Sequence, residues 1–169
     1  MLFRSRLMGT YAEDTAELFQ FTREQQDEYA IGSLNNALSA QKEDAFDREI
    51  TPVTIKTRKG ELIIKDDEQP KNAQPEKIPN LKPAFKKDGT VTAANSSSIS
   101  DGAAALLISS EERAAELSLP VRANILGHTV HAHQPGMFTT APIPAAKKLL
   151  EKIGWSSNEV DLWERSEEH

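Results

Sequence analysis

The spacing of apolar residues changes repeatedly along this chain, and those changes set the fold class more firmly than any single motif. Residues 10 to 43 carry helical spacing. Ala12, Ala16 and Phe19 recur on one face, and Thr10 with Glu13 has the spacing of a capping box. Thr22 and Gln25 repeat that spacing before a second stripe of Tyr29, Ala30, Leu34, Ala37 and Leu38. Two helices are expected. Between 49 and 65 the texture turns to strands, with Ile50, Val53 and Ile55 on one and Leu62, Ile63 and Ile64 on another. Lys59-Gly60 lies between them, which predicts a β-hairpin. The basic run Lys56-Thr57-Arg58-Lys59 reads as its solvated turn. Residues 66 to 80 are polar and hold Pro70, Pro75 and Pro79, so a surface loop or lid is expected there.

From Thr90 onward strand and helix alternate. Val91 to Ala94 is expected as a short buried strand, followed by a loop of small polar residues from Asn95 to Gly102. Ala103 to Ile108 is expected as a helical turn leading into a strand, and Ser110 caps an amphipathic helix to Leu117. Val121 to Val130 is expected as a strand. A helix should start after Pro142 and stop at Gly154, with Ala145, Leu149, Leu150 and Ile153 facing inward. Val160 to Trp163 is expected as a last strand. This alternation predicts an α/β layered fold, with the helix pair and hairpin as an insertion before it.

Composition excludes several function classes. The net charge of −6 argues against an electrostatic nucleic-acid binder. The hydrophobic share of 38% allows a core, but not a generous one, and leaves apolar surface for a partner to cover. No apolar run approaches the roughly 18 residues that span a bilayer, and Met1 to Arg6 has no apolar stretch for a signal peptide. No membrane association and a cytoplasmic location are expected. The chain has no cysteine, so it can form no disulfide, thiolate zinc site or cysteine nucleophile. His128, His131 and His133 fall close together, but no Asp, Glu or Cys completes a ligand set nearby. Packing and loop hydrogen bonding are expected of them, and no metal.

Four segments resemble the thiolase family in order and spacing. The first is Leu7-Met8-Gly9-Thr10-Tyr11-Ala12-Glu13-Asp14, followed by Thr22-Arg23-Glu24-Gln25-Gln26-Asp27-Glu28-Tyr29-Ala30. The second is Leu81-Lys82-Pro83-Ala84-Phe85 with Asp88-Gly89-Thr90-Val91-Thr92-Ala93-Ala94-Asn95. The third runs from Ser97 to Leu106 around Asp101-Gly102-Ala103. The fourth is Pro142-Ile143-Pro144-Ala145, with Val160-Asp161-Leu162-Trp163-Glu164 after the helix.

The resemblance implies an acyl-CoA C-acyltransferase that joins or cleaves acyl units as coenzyme A thioesters. It implies the layered αβαβα fold, with residues 1–89 as the lid and loop region. Residues 90–118 would end the N-terminal domain, and 119–169 would begin a truncated C-terminal domain. In the family one cysteine carries the acyl group, a histidine activates it, and a second cysteine moves the α-carbon proton. None of the three is implied for any position here, so the chain is expected to be an internal fragment, inactive alone.

By position, Met8 would line the substrate end of the pantetheine channel and Phe85 would pack on the pantetheine. Ala93 and Ser97 would approach its amides, and Ile99 would be an apolar neighbour. Lys71 would meet the nucleotide end, and Phe138 would sit beside the acyl group. The implied ligand is a coenzyme A thioester as substrate, with no covalently bound cofactor. Full-length members of the family are commonly homo-oligomers. The alternative is a non-catalytic coenzyme-binding or partner-complementing subunit.

The sequence departs from the family at several points. Leu7 stands where many members have histidine, Ala94 where many have glycine, and Ser96-Ser97-Ser98 where many have Ala-Ser-Gly. Phe138-Thr139-Thr140-Ala141 replaces a Met-Gly-Thr-Gly stretch. Beyond Glu164, Arg165-Ser166-Glu167-Glu168-His169 replaces a family Asn-Glu-Ala-Phe, and no role is carried to Ser166.

Overall fold

The computed structural model describes residues 6–164, so the expectations placed on Met1 and Ser166 lie outside the described residues. The chain divides after Ser97 into two compact units.

The first unit opens with two helices, α1 (Met8–Phe19) and α2 (Arg23–Lys42). The Thr22 hydroxyl accepts from Gln25 N and the Gln25 side chain accepts from Thr22 N, completing the capping box expected there. The box expected at Thr10 does not form. Helix α1 starts earlier, with Leu7 at its N-cap, and the Thr10 hydroxyl donates to the Leu7 carbonyl at 2.7 Å. Gln20 ends α1 in the left-handed region, φ 57°.

A two-stranded antiparallel sheet follows, β1 (Val53–Thr57) and β2 (Gly60–Ile64), with Thr57 paired to Gly60. The turn is therefore Arg58-Lys59, and Gly60 belongs to β2 at φ 125°, where a side chain would be strained. Ile50 falls outside the strand. The proline-bearing stretch holds short helix α3 (Glu68–Asn72), capped by Asp67, and a 3₁₀ stretch over Pro75–Asn80. Tyr11, Ala16, Leu34, Ile78 and Val91 form the small buried core of this unit.

Val91 and Thr92 are buried as expected, but they are not a strand. Thr92 N donates to the Asn95 side chain at 2.7 Å, and the Thr92 hydroxyl accepts from Ala94 N and Asn95 N. Local side chains satisfy this backbone, so the segment turns instead of extending.

The second unit, Ser98–Trp163, holds α4 (Glu111–Glu116) and α5 (Pro142–Ile153). Ser110 caps α4, and Gly154 ends α5 at φ 74°, both as the sequence predicts. Residues 127–131 lie along α5. A Cβ on Gly127 would sit 3.2 Å from both Leu149 and Ile153, and the Thr129 hydroxyl donates to the Ala145 carbonyl at 2.8 Å. Between these elements runs a 3₁₀ stretch over Pro135–Thr140, kinked at Met137.

The strands expected over 103–108, 121–130 and 160–163 are absent among the described residues. A strand is held by its neighbours in a sheet, and none flanks these segments here. Their side chains are correspondingly open, with Leu106 87%, Val130 84% and Leu162 78% exposed. Val121 is exposed as an unpaired strand would be, whereas Val91 is not.

Candidate functional site

Two buried carboxylates organise the loop that follows Phe85. Glu13 faces inward from α1 and accepts Thr90 N and Val91 N, each at 2.9 Å. Asp27 faces inward from α2. Its Oδ2 accepts Arg23 Nε at 2.6 Å, and its Oδ1 accepts Asn95 Nδ2 at 2.9 Å. The same Asn95 amide donates to the Thr90 carbonyl at 3.0 Å. Arg23 also donates through Nη2 to the carbonyls of Ile78 and Leu81, both at 2.9 Å. Gln26 adds a bond to the Thr90 hydroxyl at 2.9 Å. Helices α1 and α2 thus grip residues 78–95 through charged and amide groups, the stronger kind of hydrogen bond when buried.

Phe85 is half-buried, and its ring occupies the space a side chain on Gly9 would need. Met8, the neighbour of Gly9 at the start of α1, is 54% exposed. Ala93 and Ser97 lie on the held loop with their side chains open to solvent. Met8, Phe85, Ala93 and Ser97 are therefore linked through α1 and one anchored loop. Lys71 stands apart on α3, exposed, with its Nζ 3.9 Å from Asp66 Oδ2. It borders an open cleft of about 1140 Å³ between α2, residues 44–52 and α3, whose walls include Tyr29, Ser33 and Phe46. Ile99 and Phe138 belong to the second unit, Ile99 fully exposed and Phe138 half-buried.

Glu13, Asp27 and Asn95 did not stand out as site residues in the sequence. The available signal was positional. Glu13 falls four residues after Gly9 and three before Ala16, on the face α1 buries.

In the second unit the His131 and His133 rings meet edge to face, with centroids 5.0 Å apart. His131 Nδ1 lies 3.3 Å from Lys148 Nζ, and His133 Nε2 lies 2.6 Å from the Met137 carbonyl. No group of three or more metal-ligating side chains occurs among the described residues. Partial removal from water, then Lys148, then His133, hold the His131 pKa below its ordinary value. Folded chains therefore bind a proton at His131 less readily than unfolded ones. The His131 contribution to stability is complete above the ordinary imidazole range and is lost as pH falls through and below about 6.5. Thermal midpoints of the chain should fall between about pH 7 and pH 5, and His131→Gln should reduce that slope. An unchanged slope in the variant would assign the acid sensitivity elsewhere.

No helix among the described residues is long and apolar enough to cross a membrane.

Comparison with known proteins places this architecture. Residues 1–112 match the thiolase N-terminal domain and residues 119–169 match the thiolase C-terminal domain. The acetyl-CoA acetyltransferase of Paracoccus denitrificans is 45% identical over 166 residues, which cover 98% of this chain and 42% of that protein. That of Yarrowia lipolytica is 46% identical, covering 95% of this chain and 40% of the relative. Among solved structures, the acetyl-CoA acetyltransferase of Bacillus anthracis superposes with a TM-score of 0.89 at 44% identity, covering 93% of this chain and 40% of that one. The Acat5 thiolase of Ascaris suum, solved in complex with coenzyme A, gives 0.87 at 41% identity, covering 96% and 41%. The fold is thus the α/β thiolase fold. The chain belongs to the thiolase family, and it spans about two fifths of the length of these relatives.

Proposed function

We propose that this chain supplies the coenzyme A-binding region of a thiolase-type acyltransferase, acting in Claisen condensation of acyl-CoA thioesters or in thiolysis of 3-oxoacyl-CoA. The observation that carries this reading is the anchored loop. Glu13 holds its backbone amides and Asp27 holds the Asn95 side chain, while Ala93 and Ser97 remain open beside them. A pantetheine arm is a thin chain with two amides, and small side chains with one hydroxyl suit it. Phe85, seated on Gly9, offers an apolar face to that arm, and Met8 lies at the start of the same helix. Lys71, on the wall of the open cleft, has the charge for a nucleotide phosphate. Ile99 and Phe138, on the second unit, are the apolar side chains this reading assigns to the acyl group. Residues 1–89 act as lid and loop, 90–118 close the N-terminal domain, and 119–169 open the C-terminal domain.

The absence of any cysteine favours a second element of the reading. An acyl group cannot ride on these 169 residues as a cysteinyl thioester, so the covalent step needs sulfur from outside them. The chain is then a coenzyme-binding or partner-complementing component.

Titration calorimetry with coenzyme A tests the binding claim. The chain should bind at micromolar to millimolar concentration. Phe85→Ala should weaken binding about tenfold and Ser97→Ala about two- to tenfold, the effects of one lost apolar face and one lost hydroxyl. No heat from any of the three at millimolar coenzyme would refute it.

A further inference from the structure

We infer that Glu13, together with Gly9 one helical turn before it, is a positioning residue that sets the register of the coenzyme-binding loop. This rests on the coenzyme reading, which uses the anchored loop, and adds to it what fixes the loop's register.

Two interlocks carry the inference. A Cβ on Gly9 would overlap the ring of Phe85. A Cβ on Gly89 would overlap the carboxylate of Glu13. The partners are Gly9 with Phe85 and Glu13 with Gly89, so the spacing is four residues on both sides and runs in the same direction. On α1, positions four apart share a face. The segment 85–89 therefore docks on one stripe of α1 through two side chains, each filling the place of a missing one on the other partner. A slip of one residue would drive Ala84 or Lys86 onto Gly9, and Asp88 or Thr90 onto Glu13. Only one register fits.

The carboxylate then fixes the backbone just past Gly89. Its two oxygens accept the consecutive amides of Thr90 and Val91, and the Thr90 hydroxyl lies 3.4 Å from Oε2. Val91 is two residues from Ala93 and six from Ser97. Beyond Val91 the turn closes on itself through Thr92 and Asn95, and the Ser96 hydroxyl donates to the Thr92 carbonyl. The loop is thus internally rigid, and Glu13 at its root decides where its open residues stand. Lys86 pairs with Glu17 at 3.0 Å one turn further along α1, but both are exposed and screened, so that pair adds little.

The experiment uses the full chain with coenzyme A as probe. Amide hydrogen exchange is read at Thr90–Ser97, alongside coenzyme affinity and the thermal midpoint. In Glu13→Gln an amide N–H₂ replaces one acceptor and meets a backbone N–H, so exchange at Thr90 and Val91 should rise at least about tenfold. Coenzyme affinity should fall about tenfold in step, while exchange in α2 away from Asp27 stays as in the wild type. Gly89→Ala approaches the same contact from the other side and should give the same pattern. The double variant Glu13→Ala with Gly89→Ala separates space from hydrogen bonding. Its new methyl fits the vacated volume, so the midpoint should recover while amide protection and affinity do not.

If the wild type binds coenzyme and Glu13→Gln binds equally well, the inference is overturned. Unchanged amide exchange in Glu13→Gln overturns it as well. If the wild type binds no coenzyme, the coenzyme reading has failed, and the exchange pattern alone then decides whether Glu13 sets the register.

Discussion

Asp27→Ala will destabilise the chain by about 3–5 kcal/mol, the usual cost of removing one partner of a buried ion pair. Asp27 is 4% exposed and satisfies two groups at once. Its loss leaves the Arg23 guanidinium, largely shielded from water, with carbonyls alone to balance its charge. It also leaves the Asn95 amide with Thr90 O as its one remaining acceptor in this network. The buried core of this unit is small, so such a loss is a large fraction of what holds it together. The thermal midpoint should drop by at least about 12 °C, taking roughly 4 °C per kcal/mol for a unit of this size. Asp27→Asn keeps the shape and removes the charge, and should cost less. Asp14→Ala, which breaks an exposed pair with Arg6, should stay within about 1 kcal/mol. Urea and thermal melts of the three variants check the ranking. Equal midpoints for Asp27→Ala and Asp14→Ala would show that the buried network does not hold the loop.

The features legible in the sequence are those whose cause is local. The Thr22–Gln25 box, the Ser110 cap, the stop at Gly154 and the hairpin all depend on residues within a few positions. The order of the four family-like segments was legible for the same reason, because it is a property of the chain itself. Strands were a different matter. Residues 121–130 have strand composition, but a strand needs a neighbour, and none lies beside them among the described residues. Val91 to Ala94 failed for a second reason. Thr92 and Asn95 captured the backbone that a sheet would have taken.

The candidate site divides in the same way. Met8, Phe85, Ala93 and Ser97 could be picked out by motif, and α1 and the loop connect them. Glu13 read first as half of a capping box, because its partners Thr90 and Val91 lie 77 and 78 residues away. Nothing near Glu13 in sequence announces that contact. Gly9 and Gly89 became informative only once Phe85 and Glu13 were seen filling the space beside them.

The second large effect is all-or-none. On the proposed reading, thiolysis of a 3-oxoacyl-CoA passes through a protein thioester, and these 169 residues hold no sulfhydryl on which to form one. No serine here sits in a Gly-x-Ser-x-Gly elbow. In a protease where the comparison is known, removing the nucleophile costs on the order of 10⁶ in kcat. The chain should therefore bind coenzyme and transform nothing. Addition of a cysteine-bearing thiolase component should be the condition under which turnover appears.

The decisive measurement is acetoacetyl-CoA cleavage, followed by thioester absorbance, with the purified 169-residue polypeptide and free coenzyme A. A rate equal to that of buffer, from protein that calorimetry shows to bind coenzyme A, is the expected result. Sustained cleavage in proportion to the amount of this chain, with no other protein present, would contradict the account.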